Sequence, residues 1–192
     1  MRYPAEHKQE TRARIVRAAA RRFRSRGGEG AAISELMRDL RLTHGGFYRH
    51  FDSKEDLFAE AFALGLEQLS ERLVRAAEAA PRGGALKALI DAYLSTEHCD
   101  DVAEGCPVAA LIAEVTRRPA ATRRAFQQAL RTHIARMARY VPGATDEERH
   151  RKAVMLFSGM AGTLNVARAL TDERRQRVLE DARTFYLEAV VG

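Results

Sequence analysis

The chain has 192 residues, 46% of them apolar and 30% charged, with 32 Lys+Arg against 26 Asp+Glu and a net charge of +6. At roughly 100–200 residues per domain, that length holds one domain or two small ones, and it can bury a core without disulfides or metals. The longest uncharged run, Ala153 to Ala167, is 15 residues, short of the ~20 needed to cross a bilayer, so a membrane-spanning protein is excluded.

Two cysteines make no disulfide framework. The segment from Met1 to Lys8 has no apolar core behind its basic residues, so no signal peptide is expected and the cytoplasm is the default compartment. The charge is unevenly spread. The first 52 residues carry 12 basic and 6 acidic side chains, a balance of +6, and the remainder is neutral. A basic segment on a neutral body is the footprint of nucleic-acid binding. A solvated helix face carrying arginines would give the same composition.

In chain order, nearly every segment reads as helix. Ile15, Ala19 and Phe23 recur at i, i+4 and i+8 between about Gln9 and Arg26, and Gly27-Gly28 is expected to stop that helix. Ile33, Leu36, Met37 and Leu40 make the apolar stripe of a short second helix, and a third runs from Thr43 to about His50. Ser53-Lys54-Glu55-Asp56 is a capping-box-like start for a long helix to about Ala80, ended by Pro81-Arg82-Gly83-Gly84. Ala85 to Ser95 is one helix and Glu97 to Gly105 an acidic loop. Pro107 opens the next, which Arg118-Pro119 breaks near Val115. Pro119 to Tyr140, Asp146 to Leu170 and Asp172 to Val190 complete the chain. No run alternates with period two, so the expected class is all-α, with about nine helices and no sheet.

The second and third helices are separated only by Arg41-Leu42, with Thr43 placed to cap the third. Two short helices joined in this way make a helix-turn-helix, whose second helix enters the major groove of DNA. Gly45 and Gly46 let the backbone approach DNA and the neighbouring helix closely. Phe47 and Phe51, four apart, point inward and leave His44, Tyr48, Arg49 and His50 with polar ends outside. Arginine reads guanine edges, while hydroxyls, imidazoles and helix N-termini hold phosphates.

The run Leu42-Thr43-His44-Gly45-Gly46-Phe47-Tyr48-Arg49-His50-Phe51, followed by Asp52-Ser53-Lys54-Glu55-Asp56-Leu57, resembles the tetracycline-repressor (TetR/AcrR) family of bacterial regulators. The resemblance covers about Lys8 to Leu69, with the motif at about 32–51. It implies residues 1–52 as an N-terminal three-helix DNA-binding domain and residues 53–192 as a helical effector-binding and dimerisation domain. The implied protein is a homodimeric repressor that a small-molecule effector releases from a palindromic double-stranded operator. By position, Thr43, Tyr48, His50 and Lys54 would contact phosphates, and His44, Gly45 and Arg49 would face base edges. A half-buried structural role is the alternative for Tyr48.

Three positions depart from the family pattern. Ala32 stands where a Ser or Thr cap is usual, a loss of roughly 1 kcal/mol, unless Ser34 takes over and starts the second helix late. Arg41 occupies a turn position that is usually glycine, so either the turn differs or a non-glycine residue takes positive φ. Gly28 follows Gly27 where an aromatic is usual.

In the second half, Tyr93, Cys106, Leu111, Glu114, Phe126, His133, Met137, Met155 and Asn165 are candidates for an effector pocket because they mix apolar and polar groups at helical spacing. Plain core is the alternative for each. Met155 to Asn165 is apolar nearly all round; it can line a cavity, or use Gly159 and Gly162 for close contact across a two-fold axis. Phe157 of the same stretch is a further interface candidate, and the resemblance adds Phe185, Tyr186 and Val190. Cys99 and Cys106 flank the acidic loop beside His98. Their spacing matches no structural zinc pattern. Cys106, before Pro107 at a helix start, suits thiol-based electrophile or redox sensing, with a buried, inert cysteine as the commoner case. A protein partner controlling a DNA-binding module is a further alternative. There is no HExxH, P-loop, GxSxG or GxGxxG, and the six histidines are scattered, so no enzyme activity, cofactor or metal is expected.

Overall fold

Apolar side chains three and four residues apart recur along the whole chain, and each stripe must be covered by another helix. The computed structural model describes residues 5–30 and 32–191, and every regular element among them is helical. In order these are α1 (Ala5–Gly30), α2 (Ile33–Asp39), α3 (His44–Phe47), α4 (Lys54–Ala79), α5 (Ala85–Tyr93), α6 (Thr96–Asp100), α7 (Pro107–Val115), α8 (Ala120–Ala138), α9 (Asp146–Arg168) and α10 (Asp172–Val191). The first four residues, where the absence of a signal peptide was expected, lie outside the described ones. No helix among the described residues is long and apolar enough to cross a membrane.

Helix α4 is the spine. Leu57, Phe58, Ala61, Phe62, Leu66, Leu69 and Leu73 are all at most 3% exposed, and α1, α5 and α8 pack around it. Helices α9 and α10 pair with each other, α8 leans on α9, and α1 runs against α7.

Three details differ from the expectations, and a fourth decides an open alternative. The acidic stretch contains a helical turn, α6, because Ser95 accepts the His98 N–H at 3.1 Å and caps it. Helix α1 breaks at Gly27 (φ 76°, ψ 161°), a conformation open only to glycine, but helical residues resume and run to Gly30. Regular helix in α3 covers only His44–Phe47. Beyond it, turn bonds from the N–H groups of His50 and Phe51 to the Phe47 carbonyl, at 2.9 and 3.1 Å, carry the chain on. Ser34 does not replace the missing cap: α2 starts at Ile33 with Ala32 at the cap position and no side-chain bond there. Thr43 and Ser53 do cap α3 and α4, accepting from Gly46 at 3.2 Å and Asp56 at 3.1 Å.

A buried histidine links α5, α6 and α7. His98 Nδ1 lies 2.5 Å from the Tyr93 carbonyl, and its Nε2 accepts the Cys106 N–H at 2.9 Å. A ring that donates at Nδ1 and accepts at Nε2 is neutral. Burial, with Arg72 nearby, lowers its pKa to about 3. His133 is also buried, against Phe157 and the Ser70 hydroxyl, and burial lowers it to about 3 as well.

Two outcomes follow from these features. The unfolded chain protonates both histidines below about pH 6.5 while the folded chain does not, so stability is complete above that pH and falls as the pH drops toward 3. Between pH 7.5 and 5.5 the loss should be about 2–3 kcal/mol, read from urea midpoints; an unchanged midpoint would show that the imidazoles are charged in the folded state. Arg41 has φ 59°, the left-handed region. Arg41→Gly should therefore stabilise the chain by about 0.5–1 kcal/mol and raise Tm by about 2 °C.

Candidate functional site

Helix α3 sorts its side chains by spacing. Phe47 and Phe51 turn inward, 1% and 2% exposed, with their rings stacked at 5.4 Å. Tyr48, on the opposite face, is 63% exposed. Its ring stands edge-on to Phe47 at 5.2 Å and to His44 at 5.9 Å, which fixes its direction while leaving the hydroxyl in solvent. Thr43, His44, Gly45 and Arg49 are exposed, and His50 and Lys54 are half-buried. A Cβ on Gly45 would meet no atom within 4 Å, whereas one on Gly46 would press on the Thr43 hydroxyl. Six of the seven predicted DNA-contacting residues therefore lie on or just beside α3, and Lys54 opens α4. Thr43 keeps its hydroxyl proton free to donate, because the cap uses it as an acceptor. His50 is pushed below its usual pKa by partial burial and then by Lys8, Arg12 and Arg49, so positive potential concentrates on this face.

Much of the basic excess is spent inside the molecule. Arg12 forms a two-pronged pair with Glu60 of α4 and lies 4.3 Å over the Phe51 ring. Arg22 binds Glu35 and Asp39, holding α2 on α1. Arg24, only 4% exposed, crosses Gly65 to reach the Ala103 carbonyl and Glu104. Arg38, Arg41 and Arg49 make no ion pair among the described residues and stay exposed near α3.

A second cluster ties these helices to the rest of the chain. The break at Gly27 leaves the Gly28 N–H without a helical partner, and both oxygens of Glu114 accept it, at 3.0 and 2.8 Å. Arg118, largely buried over the Phe58 ring, binds Glu114 at 3.0 Å and Glu55 at 2.7 Å. Glu55 also accepts from Thr122 at 3.1 Å. The ends of α1, α7 and α8 thus meet the first turn of α4.

A cavity of about 520 Å³ opens between α7, α8 and α9. Its walls are Val108, Ala109, Ile112, Phe126, Leu130, Ile134, Val154, Phe157 and Ala161. Gln127, Arg131, His150, Ser158, Gly162 and Asn165 complete the lining. The volume suits a drug-sized ligand, and the lining pattern is that of small-molecule sites. Of the nine residues read as pocket candidates, the cavity brings together Phe126 and Asn165. Tyr93, Cys106, Leu111, His133 and Met137 are buried in the core instead. Glu114 belongs to the junction, and Met155 is 63% exposed on the outer side of α9. Phe157, Ser158, Ala161 and Gly162 fall within Met155–Asn165, the stretch read as able to line a cavity, and the other lining residues carry no individual sequence expectation. Their signal was present in Phe126, Leu130 and Ile134, four apart on α8, but only the packing shows which helix they face.

The residues read as an interface also separate. Phe157 lines the cavity. Gly159 receives Tyr186 of its own chain, whose ring a Cβ would meet at 2.7 Å. The Tyr186 hydroxyl lies 3.0 Å from that of Thr163. Val190 is 6% exposed, whereas Phe185 is 63% exposed, and Gly162 is exposed at the cavity margin. Cys99 and Cys106 are free and buried, and burial pushes both thiols above their usual range. A raised pKa leaves little thiolate at neutral pH, so their placement lends the thiol-sensing alternative no support. No cluster of metal-ligating side chains occurs among the described residues.

Comparison with known proteins agrees with this architecture. Residues 15–61 match the family described as bacterial regulatory proteins, tetR family, and residues 81–183 match the tetracyclin repressor-like C-terminal domain. The chain is 38% identical over 68 residues to the uncharacterized HTH-type transcriptional regulator YdgC of Bacillus subtilis (strain 168). That stretch spans 34% of this chain and about a third (35%) of the relative. A TetR-family transcriptional regulator from Cytophaga hutchinsonii shares the fold with a TM-score of 0.76 at 19% identity, covering 95% of this chain and 96% of that one. A TetR regulator from Chloroflexus aurantiacus J-10-FL gives 0.74 at 25% identity, covering 97% and 96%. With a helix-turn-helix matched at one end and a repressor-like helical domain over most of the remainder, the chain belongs to the TetR family of DNA-binding transcriptional regulators.

Proposed function

We propose that the chain is a homodimeric repressor, released from a palindromic DNA operator by a small molecule bound between α7, α8 and α9. The observation that carries the DNA-binding part is the division of α3, with Phe47 and Phe51 in the core and Tyr48 exposed beside His44 and Arg49. On this reading Thr43, Tyr48, His50 and Lys54 hold phosphates, while His44, Gly45 and Arg49 meet base edges. Gly45 leaves open space where a duplex would approach.

Dimerisation is supported by the apolar surface left on the last two helices. Met155 and Val166 on α9 are 63% and 55% exposed, and Phe185 and Val191 on α10 are 63% and 62% exposed. Apolar side chains so exposed on adjoining helices suit burial against a second copy through a two-fold, self-complementary contact. Two α3 helices would then enter successive major grooves ~34 Å apart.

Release of DNA works through α7. This helix contributes Val108, Ala109 and Ile112 to the cavity wall and carries Glu114 to the Gly28 N–H. Arg118, just beyond its end, reaches Glu55 in the first turn of α4. A ligand that fits better when α7 is displaced therefore moves the end of α1 and the start of α4, biasing the dimer toward a spacing that misfits the operator.

Tyr48→Ala should lower operator affinity at least tenfold with Tm unchanged, measured by fluorescence anisotropy; full affinity would remove α3 as the reading element. Phe185→Glu should convert a dimer to a monomer in sedimentation velocity and weaken operator binding by tenfold or more through lost bivalency. A variant that still sediments as a dimer would place the interface elsewhere.

A further inference from the structure

The cavity lining has one sign of charge. Fifteen residues surround the space, and none is Asp or Glu, although the chain has 26 acids. The charged and titratable side chains there are Arg131 on α8 and His150 on α9, with Gln127, Ser158 and Asn165 as neutral polar groups. Helix α8 carries Arg123, Arg124, Arg131 and Arg136 and no acid at all over its 19 residues. Arg136 is held by Glu67 at 2.8 Å, whereas Arg131 makes no ion pair among the described residues.

The acids on neighbouring elements are engaged or directed elsewhere. Glu114 of α7 is bound to Gly28 and Arg118. In the first turn of α9, Asp146 pairs with Arg149, and Glu148 with Lys152 and the Ala144 N–H. Glu147, three residues before His150, does not line the cavity. A cationic ligand would thus sit beside Arg131 and His150 with no counter-charge. A neutral one would leave the guanidinium fork unused. An apolar body ending in a carboxylate fills the wall formed by Ile112, Phe126, Leu130 and Phe157 and offers Arg131 a two-pronged partner.

We infer that this cavity binds an amphipathic anion, an apolar molecule bearing a single carboxylate, with Arg131 receiving the head group. The inference rests on the reading of the cavity as the effector site. The test uses the full-length protein with a neutral naphthylamine dye as reporter and three twelve-carbon competitors: dodecanoate, dodecanol and dodecyltrimethylammonium, each below its micellar concentration. At low ionic strength dodecanoate should displace the dye at about one-tenth of the dodecanol concentration. Dodecyltrimethylammonium should be weakest, and added salt should narrow the gap. Arg131→Gln should bring dodecanoate to the dodecanol value while dodecanol itself is unmoved, which also reports an intact cavity. Equal displacement by dodecanoate and dodecanol in the wild type, a preference for the ammonium, or a carboxylate preference that survives Arg131→Gln overturns the inference and leaves the ligand cavity standing. A dye that does not bind, or binding that is undiminished in Ile112→Phe, overturns the cavity reading itself.

Discussion

Glu114 accepts the backbone N–H of Gly28 with both carboxylate oxygens, and the relation between the DNA-reading helices and the rest of the chain depends on that bond. The donor exists because Gly27 breaks α1 and withdraws the ordinary helical acceptor. A charged acceptor satisfies such a group more strongly than a neutral one, but a carboxylate half-buried between helices needs a counter-charge. Arg118 supplies it, spread over the Phe58 ring and shared with Glu55. Four helix ends are thereby held by one small charged cluster. Any side chain on Gly27 would press against Glu114, where a Cβ would lie 2.7 Å from the carboxylate oxygen.

The arginines divide between two tasks that composition does not separate. Arg12, Arg22 and Arg24 are internal ties, Arg12 and Arg22 binding acids on other helices and Arg24 binding Ala103 and Glu104 between α6 and α7. Arg38, Arg41 and Arg49 remain exposed around α3. The favourable field for a phosphate backbone therefore comes from fewer side chains than the net charge of the segment indicates, and those side chains lie where the short α3 presents Tyr48. On α8, Arg131 borders the apolar cavity with no acid in an ion pair with it among the described residues. The same residue type thus serves as internal clamp, as exposed charge beside α3 and as rim of the cavity, according to whether an acid faces it.

Helix α7 joins these parts. One of its faces lines the cavity and its C-terminal end holds the junction, so the cavity wall and the group that positions α1 belong to one nine-residue element. Packed helices shift as units, and a change of shape at one end of a short helix is felt at the other.

The local elements were legible in the sequence. Helix periodicity, the caps at Thr43 and Ser53 and the motif from Leu42 to Leu57 follow from neighbouring residues alone, because hydrogen bonds within a helix and its cap span only three or four positions. The sorting of Phe47 and Phe51 from Tyr48 follows from the same periodicity. What remained open was everything set by contacts between distant segments. That Tyr93, His133 and Met137 are core while Arg131 and His150 border a cavity depends on which helix lies opposite. An apolar stripe states that a face must be covered; it does not name the partner. The sequence by itself determined an all-helical chain with a DNA-reading motif near its start, and the tertiary structure alone decided where the cavity opens and which acids neutralise which arginines, because burial and ion pairing are properties of facing surfaces.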